Sequence, residues 1–417
     1  MNKIYLMITI TVFYCISSIG AKAQSSYSTT SNKQLKVGDP IPIFNLINPE
    51  NIIGKNVDLK NMDKVVLLDF FDTYCTACIA SLPKLKKLQN EMSDKTQIIL
   101  VTWQDQKTIS KFWQTNAFIK EHRIDLPILY ADTLLKSYFP HRSIPHAVWI
   151  FKEKVRAITH SDFITAENVQ SLYQQGDIKL PLKNDFVDEK LDMRSLDSAG
   201  IYHTIIRYSH FQDGRPASSY KYQLDSLTGY YSSSFINQPI FAAYTAIWSK
   251  IRKPEFLLKP ERLLWTVSDS NRYKNFGGPG TGQVWLSKNG ISYERFDRNQ
   301  RNDSIQAKIV LNDLNNLLNI DVKWTKRKRM AWVIKGKYKP SREKLVGQSL
   351  EGTGVLAFIL DLADKYPVAI DQVKIKDKII LPEFGSLNDL NQILGYYGLK
   401  IVEEECLIDV LEFRERN

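Results

Sequence analysis

Two cysteines three residues apart, in Cys75-Thr76-Ala77-Cys78, are the residues of this 417-residue chain best spaced to do chemistry together. A pair at i, i+3 sits on one helix face, where the sulfurs can close a disulfide and reopen it by thiol-disulfide exchange. Only a thiolate attacks, and a cysteine at a helix N-terminus has its pKa lowered by unpaired N–H groups and the macrodipole. Cys75 is therefore the expected nucleophile. Cys78, one turn further in and more buried, is the expected resolving thiol. Asp69, inside an apolar strand, would have a raised pKa and could serve as a base. The alternative is a carboxylate turned to solvent at a strand edge. His141 and His146 flank Pro145 and could tune the thiolate or touch substrate, although such histidines are commonly exposed loop residues.

Other uses of a CxxC pair fit less well. A zinc site needs a second close Cys/His pair, which is missing, and Ile79 stands where haem attachment requires histidine. A peroxidatic P-x-x-x-T-x-x-C pattern fails because Leu68 and Asp72 occupy the Pro and Thr positions. The expectation is a working dithiol, with no metal and no cofactor beyond it.

The elements that must hold these residues are legible as periodicity. Val65-Val66-Leu67-Leu68-Asp69-Phe70-Phe71 is a continuous apolar run of strand length directly ahead of the pair. Ile79, Leu82, Leu85, Leu88 and Met92 follow at helical spacing, with lysines on the other face. Ile98 to Trp103 reads as a second buried strand and Ala147 to Phe151 as a third, with helical stretches around Ile109 to Ile119 and Thr133 to Tyr138. Alternating strands and helices predict an α/β sandwich.

The chain as a whole is long enough for two domains and carries a formal charge of +11. Met1-Asn2-Lys3, an apolar run from Ile4 to Ile19, and Ala21-Lys22-Ala23 form a signal-peptide pattern over residues 1–23. That run is short for a membrane span, so no transmembrane segment is expected in the mature chain. Its loss would remove Lys3, Lys22 and no acids, leaving +9. A basic exported protein points to acidic partner surfaces or envelope polymers more than to nucleic acid. Three cysteines would remain, Cys75, Cys78 and Cys406: too few for a stapled scaffold, and suited to a working pair plus a bystander. Residues 24–35 read as a flexible leader, and the charged, aperiodic residues 177–199 as a linker.

Lys36-Val37-Gly38-Asp39-Pro40-Ile41-Pro42-Ile43-Phe44 and the strand-CxxC-helix pattern of Val66 to Pro83, with a proline inside the helix, resemble the thioredoxin superfamily and its exported TlpA/ResA-like branch. The resemblance spans roughly residues 36–175 and implies a three-layer α/β/α domain over residues 36–176. It implies that Asp69, six residues before Cys75, takes the proton of the resolving thiol. It also implies that Pro145 is a cis-proline facing the dithiol, so that Ile144 and Pro145 seat a peptide client. Tyr74 replaces the usual Trp and keeps an aromatic wall, and Thr76-Ala77 is the pair that helps set the potential. Dithiols of this fold range from about −270 to about −120 mV. The branch implies the reducing direction, a protein or peptide disulfide as client, a membrane electron donor and an extracytoplasmic, for instance periplasmic, location.

Residues 200–417 carry no recognisable catalytic, metal or phosphate arrangement. Leu311-Asn312-Asp313-Leu314-Asn315-Asn316-Leu317-Leu318 is echoed by Leu387-Asn388-Asp389-Leu390-Asn391-Gln392-Ile393-Leu394, each followed by an alternating run. This predicts an α+β domain with an internal helix-strand-strand repeat. Lys326-Arg327-Lys328-Arg329 reads as a solvated hairpin tip, or else as a contact for an anionic partner, and Cys406 as an inert buried thiol. Leu356 to Phe413 is diffusely similar to exported domains of unknown function, the DUF3738-like group. An alternative function follows from this half: envelope binding or assembly, with the dithiol accessory.

Overall fold

A computed structural model describes residues 34–41, 52–53, 63–186, 203–226, 228–252, 256–278, 280–363 and 365–416. The expected signal peptide, most of the leader and residues 187–199 of the expected linker lie outside these.

The first domain is built on one six-stranded sheet. Its elements are β1 (Ile52–Ile53), β2 (Val65–Phe70), α1 (Thr76–Glu91), β3 (Thr96–Val101), α2 (Gln106–Thr115), α3 (Ala117–Glu121), β4 (Ile128–Leu129), α4 (Leu134–Tyr138), β5 (His146–Phe151), β6 (Lys154–Thr159) and α5 (Ala166–Gln175), with a 3-10 turn at Ser161–Phe163 before α5. The strand order is β1-β4-β3-β2-β5-β6. β2 runs parallel to β3 and antiparallel to β5, so it is central and all six of its residues are buried. That is why its sequence is a continuous apolar run and not an alternation. Period-2 geometry then divides it. Val65 and Leu67 pack with Leu82 and Leu85 of α1 and with Val169 and Leu172 of α5. Val66, Leu68 and Phe70 pack on the opposite side with Leu135 and Phe139. Asp69 shares the parity of Val65 and Leu67, which places it on the face covered by α1.

The second half adds β7 (Thr204–His210), β8 (Ser218–Asp225), β9 (Tyr230–Gln238), α6 (Ile240–Ile251), β10 (Leu263–Thr266), α7 (Gly282–Asn289), β11 (Ile291–Asp297), α8 (Asp303–Leu318), β12 (Ile320–Gly336), β13 (Gln348–Glu351), α9 (Thr353–Leu362), β14 (Val368–Asp371), β15 (Lys378–Leu381), α10 (Leu387–Gly395) and β16 (Leu399–Glu415). The two echoed segments form the C-terminal part of α8 and most of α10. Each leads into one 17-residue strand, and not the strand pair expected from the alternation; β12 and β16 then pair with each other antiparallel along their whole length. One end of this ribbon is buried with α6 and α8, through Ile320, Val322, Leu411 and Phe413. The other is buried with α9 and α10, through Trp332, Ile334, Leu399 and Ile401. Residues 326–329 are therefore mid-strand, which corrects the hairpin-tip reading. Acids on β16 neutralise part of the run: Lys328 lies 3.3 Å from Glu405 and Arg327 3.5 Å from Glu412. Cys406 is partly exposed on the same ribbon, opposite Arg329, and not buried.

Two further expectations are corrected. Residues 177–186 are not a free linker: Lys183 is buried, and its N–H donates to the Ile158 carbonyl of β6 at 2.8 Å. β3 stops at Val101, and Trp103 beyond it is 59% exposed. No helix among the described residues is long and apolar enough to cross a membrane.

Candidate functional site

Cys75 and Cys78 are joined in a disulfide. Cys75 is the N-cap of α1, and its Sγ accepts the Cys78 N–H at 3.2 Å. It stays half-buried, whereas Cys78 is 1% exposed beside Leu82. The first turn of α1 contains no acid to oppose a thiolate at this cap. The turn ahead of it is fixed by Asp72, whose carboxylate accepts the Tyr74 N–H at 2.9 Å, and by Gln104. The Gln104 side chain accepts the Thr73 N–H at 2.8 Å and donates to the Thr73 hydroxyl at 3.0 Å. Tyr74, Thr76 and Ala77 are exposed around the disulfide.

Asp69 is 1% exposed in the central strand, so its carboxylate is not at a strand edge. The Ser161 hydroxyl donates to Oδ1, and Oδ2 has no hydrogen-bond partner among the described residues. Burial raises its pKa to about 7; the Ser161 bond works against this, Asp162 adds to it and Lys84 opposes it. Lys84, in α1, donates to the Asp162 carbonyl at 2.8 Å, and burial lowers its own pKa. From the second half, the Gln283 N–H in the first turn of α7 donates to the Asp162 carboxylate at 2.7 Å. The two halves thus meet at the turn that carries Ser161.

Ile144 and Pro145 are joined by a cis peptide bond and precede β5, which pairs with β2. A cleft of about 140 Å³ is lined by Phe71, Asp72, Trp103, His141, Arg142 and Ile144. It brings the loop before Pro145 together with the segment ahead of Cys75. The histidines are not exposed loop residues. His146 is 2% exposed, and its ring stacks on that of His141 at 4.5 Å. Burial first, then the nearby Lys183 ammonium, holds the His146 pKa well below the usual imidazole range. His141 is lowered mainly by burial. Both shifts favour the neutral imidazole, which supplies no positive charge to the thiolate.

Sequence reasoning missed Ser161, Lys84, Gln104 and Trp103. Only Trp103 had a local signal, two polar residues following it where a buried strand was expected to end. The other three act through partners 31 to 92 residues away.

Ser161 also yields a test. Ser161→Ala removes a hydrogen bond that favours the Asp69 carboxylate, so the Asp69 pKa should climb further above 7, by about one unit. Infrared titration of the carboxyl band in the oxidised protein reads this shift; an unchanged or lowered midpoint contradicts the assignment of that bond.

Residues 36–134 match the family model described as Redoxin. No curated protein matches the chain. Among solved structures, the thioredoxin domain of a thiol-disulfide oxidoreductase from Bacteroides vulgatus is 22% identical, covering 34% of this chain and 99% of its own, with a TM-score of 0.25. The exposed lipoprotein thioredoxin of Streptococcus pneumoniae is 20% identical over 28% of this chain and 87% of its own, with a TM-score of 0.24. A thiol-disulfide isomerase from Corynebacterium glutamicum is 15% identical over 34% and 94%, with a TM-score of 0.25.

Proposed function

From an N-terminal domain of the thioredoxin superfamily that carries a Cys75–Cys78 pair, we propose that the protein is an exported thiol-disulfide oxidoreductase that reduces disulfides in protein clients. The observation that carries this reading is the asymmetry of the pair: one sulfur caps a helix within reach of solvent, and its partner is buried behind it.

In the reduced protein, the Cys75 thiolate attacks one sulfur of a client disulfide. The client S–S bond breaks, its other sulfur leaves as a thiolate and takes a proton from water, and Cys75 is left in a mixed disulfide. The Cys78 thiol then gives its proton to ionised Asp69, and its sulfur attacks Cys75 Sγ. The second client sulfur leaves, the Cys75–Cys78 disulfide closes, and the client has gained two electrons. Tyr74, Thr76, Ala77, Ile144 and Pro145 border the client. Re-reduction requires a dithiol donor; for an exported protein that donor belongs to the membrane. The signal-peptide pattern of residues 1–23 supports an extracytoplasmic location.

Equilibration with glutathione tests the direction. The couple should lie on the reducing side of the glutathione couple, whereas a value near about −120 mV would make the protein an oxidant of its clients.

A further inference from the structure

Residues 181–186 pack against the loop that precedes Pro145 and bind three of its backbone groups, the N–H of Arg142 and the N–H and carbonyl of Ser143. The Lys183 side chain is 2% exposed, and its ammonium lies 2.6 Å from Asp185 Oδ2. That ammonium also donates to the Ser143 carbonyl at 2.8 Å and approaches His146 Nδ1 at 3.5 Å. Asp185 Oδ2 accepts the N–H groups of Arg142 at 2.8 Å and Ser143 at 2.9 Å, and Oδ1 accepts the Ser143 hydroxyl at 3.1 Å. The Arg142 guanidinium stacks 4.8 Å over the Phe186 ring. On its other side the strap is tied to the second half, where Asp213 Oδ1 accepts the Leu182 N–H at 2.6 Å.

A buried ion pair is a poor way to gain stability. Desolvating the two charges costs about as much as their attraction returns, and apolar residues of similar volume fill such sites at least as well. Apolar residues could not, however, hold two loop N–H groups and one loop carbonyl in fixed positions, one residue away from Ile144. An unheld loop would have to be ordered by each client at the moment of binding, which lowers affinity without touching the sulfur chemistry.

We propose that Lys183 and Asp185 are positioning residues that fix the client-binding loop Arg142–Pro145, and that the Leu182–Asp213 tie makes the second half a contributor to client binding. The proposal rests on the reading that this loop receives the client.

The test uses the full chain and a peptide disulfide as substrate. Lys183→Met/Asp185→Leu replaces the pair with apolar side chains and should fold. Its KM should rise about tenfold while kcat stays within about twofold. A folded double variant with wild-type KM overturns the positioning role. Should the double variant not fold, Asp185→Asn serves in its place, with a raised KM and faster hydrogen exchange at the Ser143 amide; unchanged KM and protection overturn the proposal. Asp213→Ala should raise KM by a smaller factor, about threefold, and an unchanged KM removes the second half from it. If the wild-type protein turns over no disulfide, the functional reading fails instead, and Ser143 protection still reports whether the strap holds the loop.

Discussion

Asp69→Asn should make the protein more stable at alkaline pH and slower at releasing clients. The sign follows from linkage. The folded carboxyl has a pKa of about 7 against an ordinary value of 3.8, so between these pH values the folded state holds a proton that the unfolded state has lost. Stability therefore falls as pH rises through that window and levels off above it. A difference of about three units at 1.36 kcal/mol each sets the penalty at about 4 kcal/mol when Asp69 is ionised. The Asn variant escapes this, so its advantage over wild type should grow by an amount of that order between pH 4 and 8. Hydrogen exchange of the β2 amides in the oxidised protein measures it, and parallel curves for the two proteins would show that Asp69 carries no such penalty. The same substitution removes the acceptor for the Cys78 proton. Resolution of a mixed disulfide should then slow by about 10² or more. A buried carboxyl that costs stability and serves no proton transfer would show the first effect without the second.

The residues that carry the proposed chemistry were readable because their signals are local. A CxxC pair between a strand-length apolar run and a helical repeat declares its own secondary structure, and the apolarity of Val65–Phe71, interrupted by Asp69 alone, already places β2 inside a sheet. The side of the sheet on which Asp69 falls was not readable, because a strand buried on both faces has no polar side to orient it. Lys183 and Asp185 read as linker because charged, aperiodic sequence ordinarily belongs to solvent. Their partners at Arg142 and Ser143 lie about forty residues upstream. Lys326–Arg329 reads as a hairpin tip for the same reason, the acids that neutralise part of it standing on β16, more than seventy residues later. The echo of Leu311–Leu318 in Leu387–Leu394 marked the two helices, but not that the strands after them would pair with each other.

The two cysteines should separate cleanly when changed one at a time. Cys75 is the helix cap and the more exposed sulfur of the pair, so Cys75→Ser leaves the pair only its buried thiol, and turnover of insulin disulfides should fall to the uncatalysed rate. Cys78→Ser keeps the nucleophile and removes the group that resolves it, so the reduced variant should accumulate a covalent adduct with client through Cys75. Incubating the reduced Cys78→Ser protein with a client disulfide and mapping the adduct by mass spectrometry is the most direct test of the account. A reductant-sensitive bond from Cys75 to a client cysteine is the predicted result; no adduct, or one formed equally well by Cys75→Ser/Cys78→Ser, would contradict it.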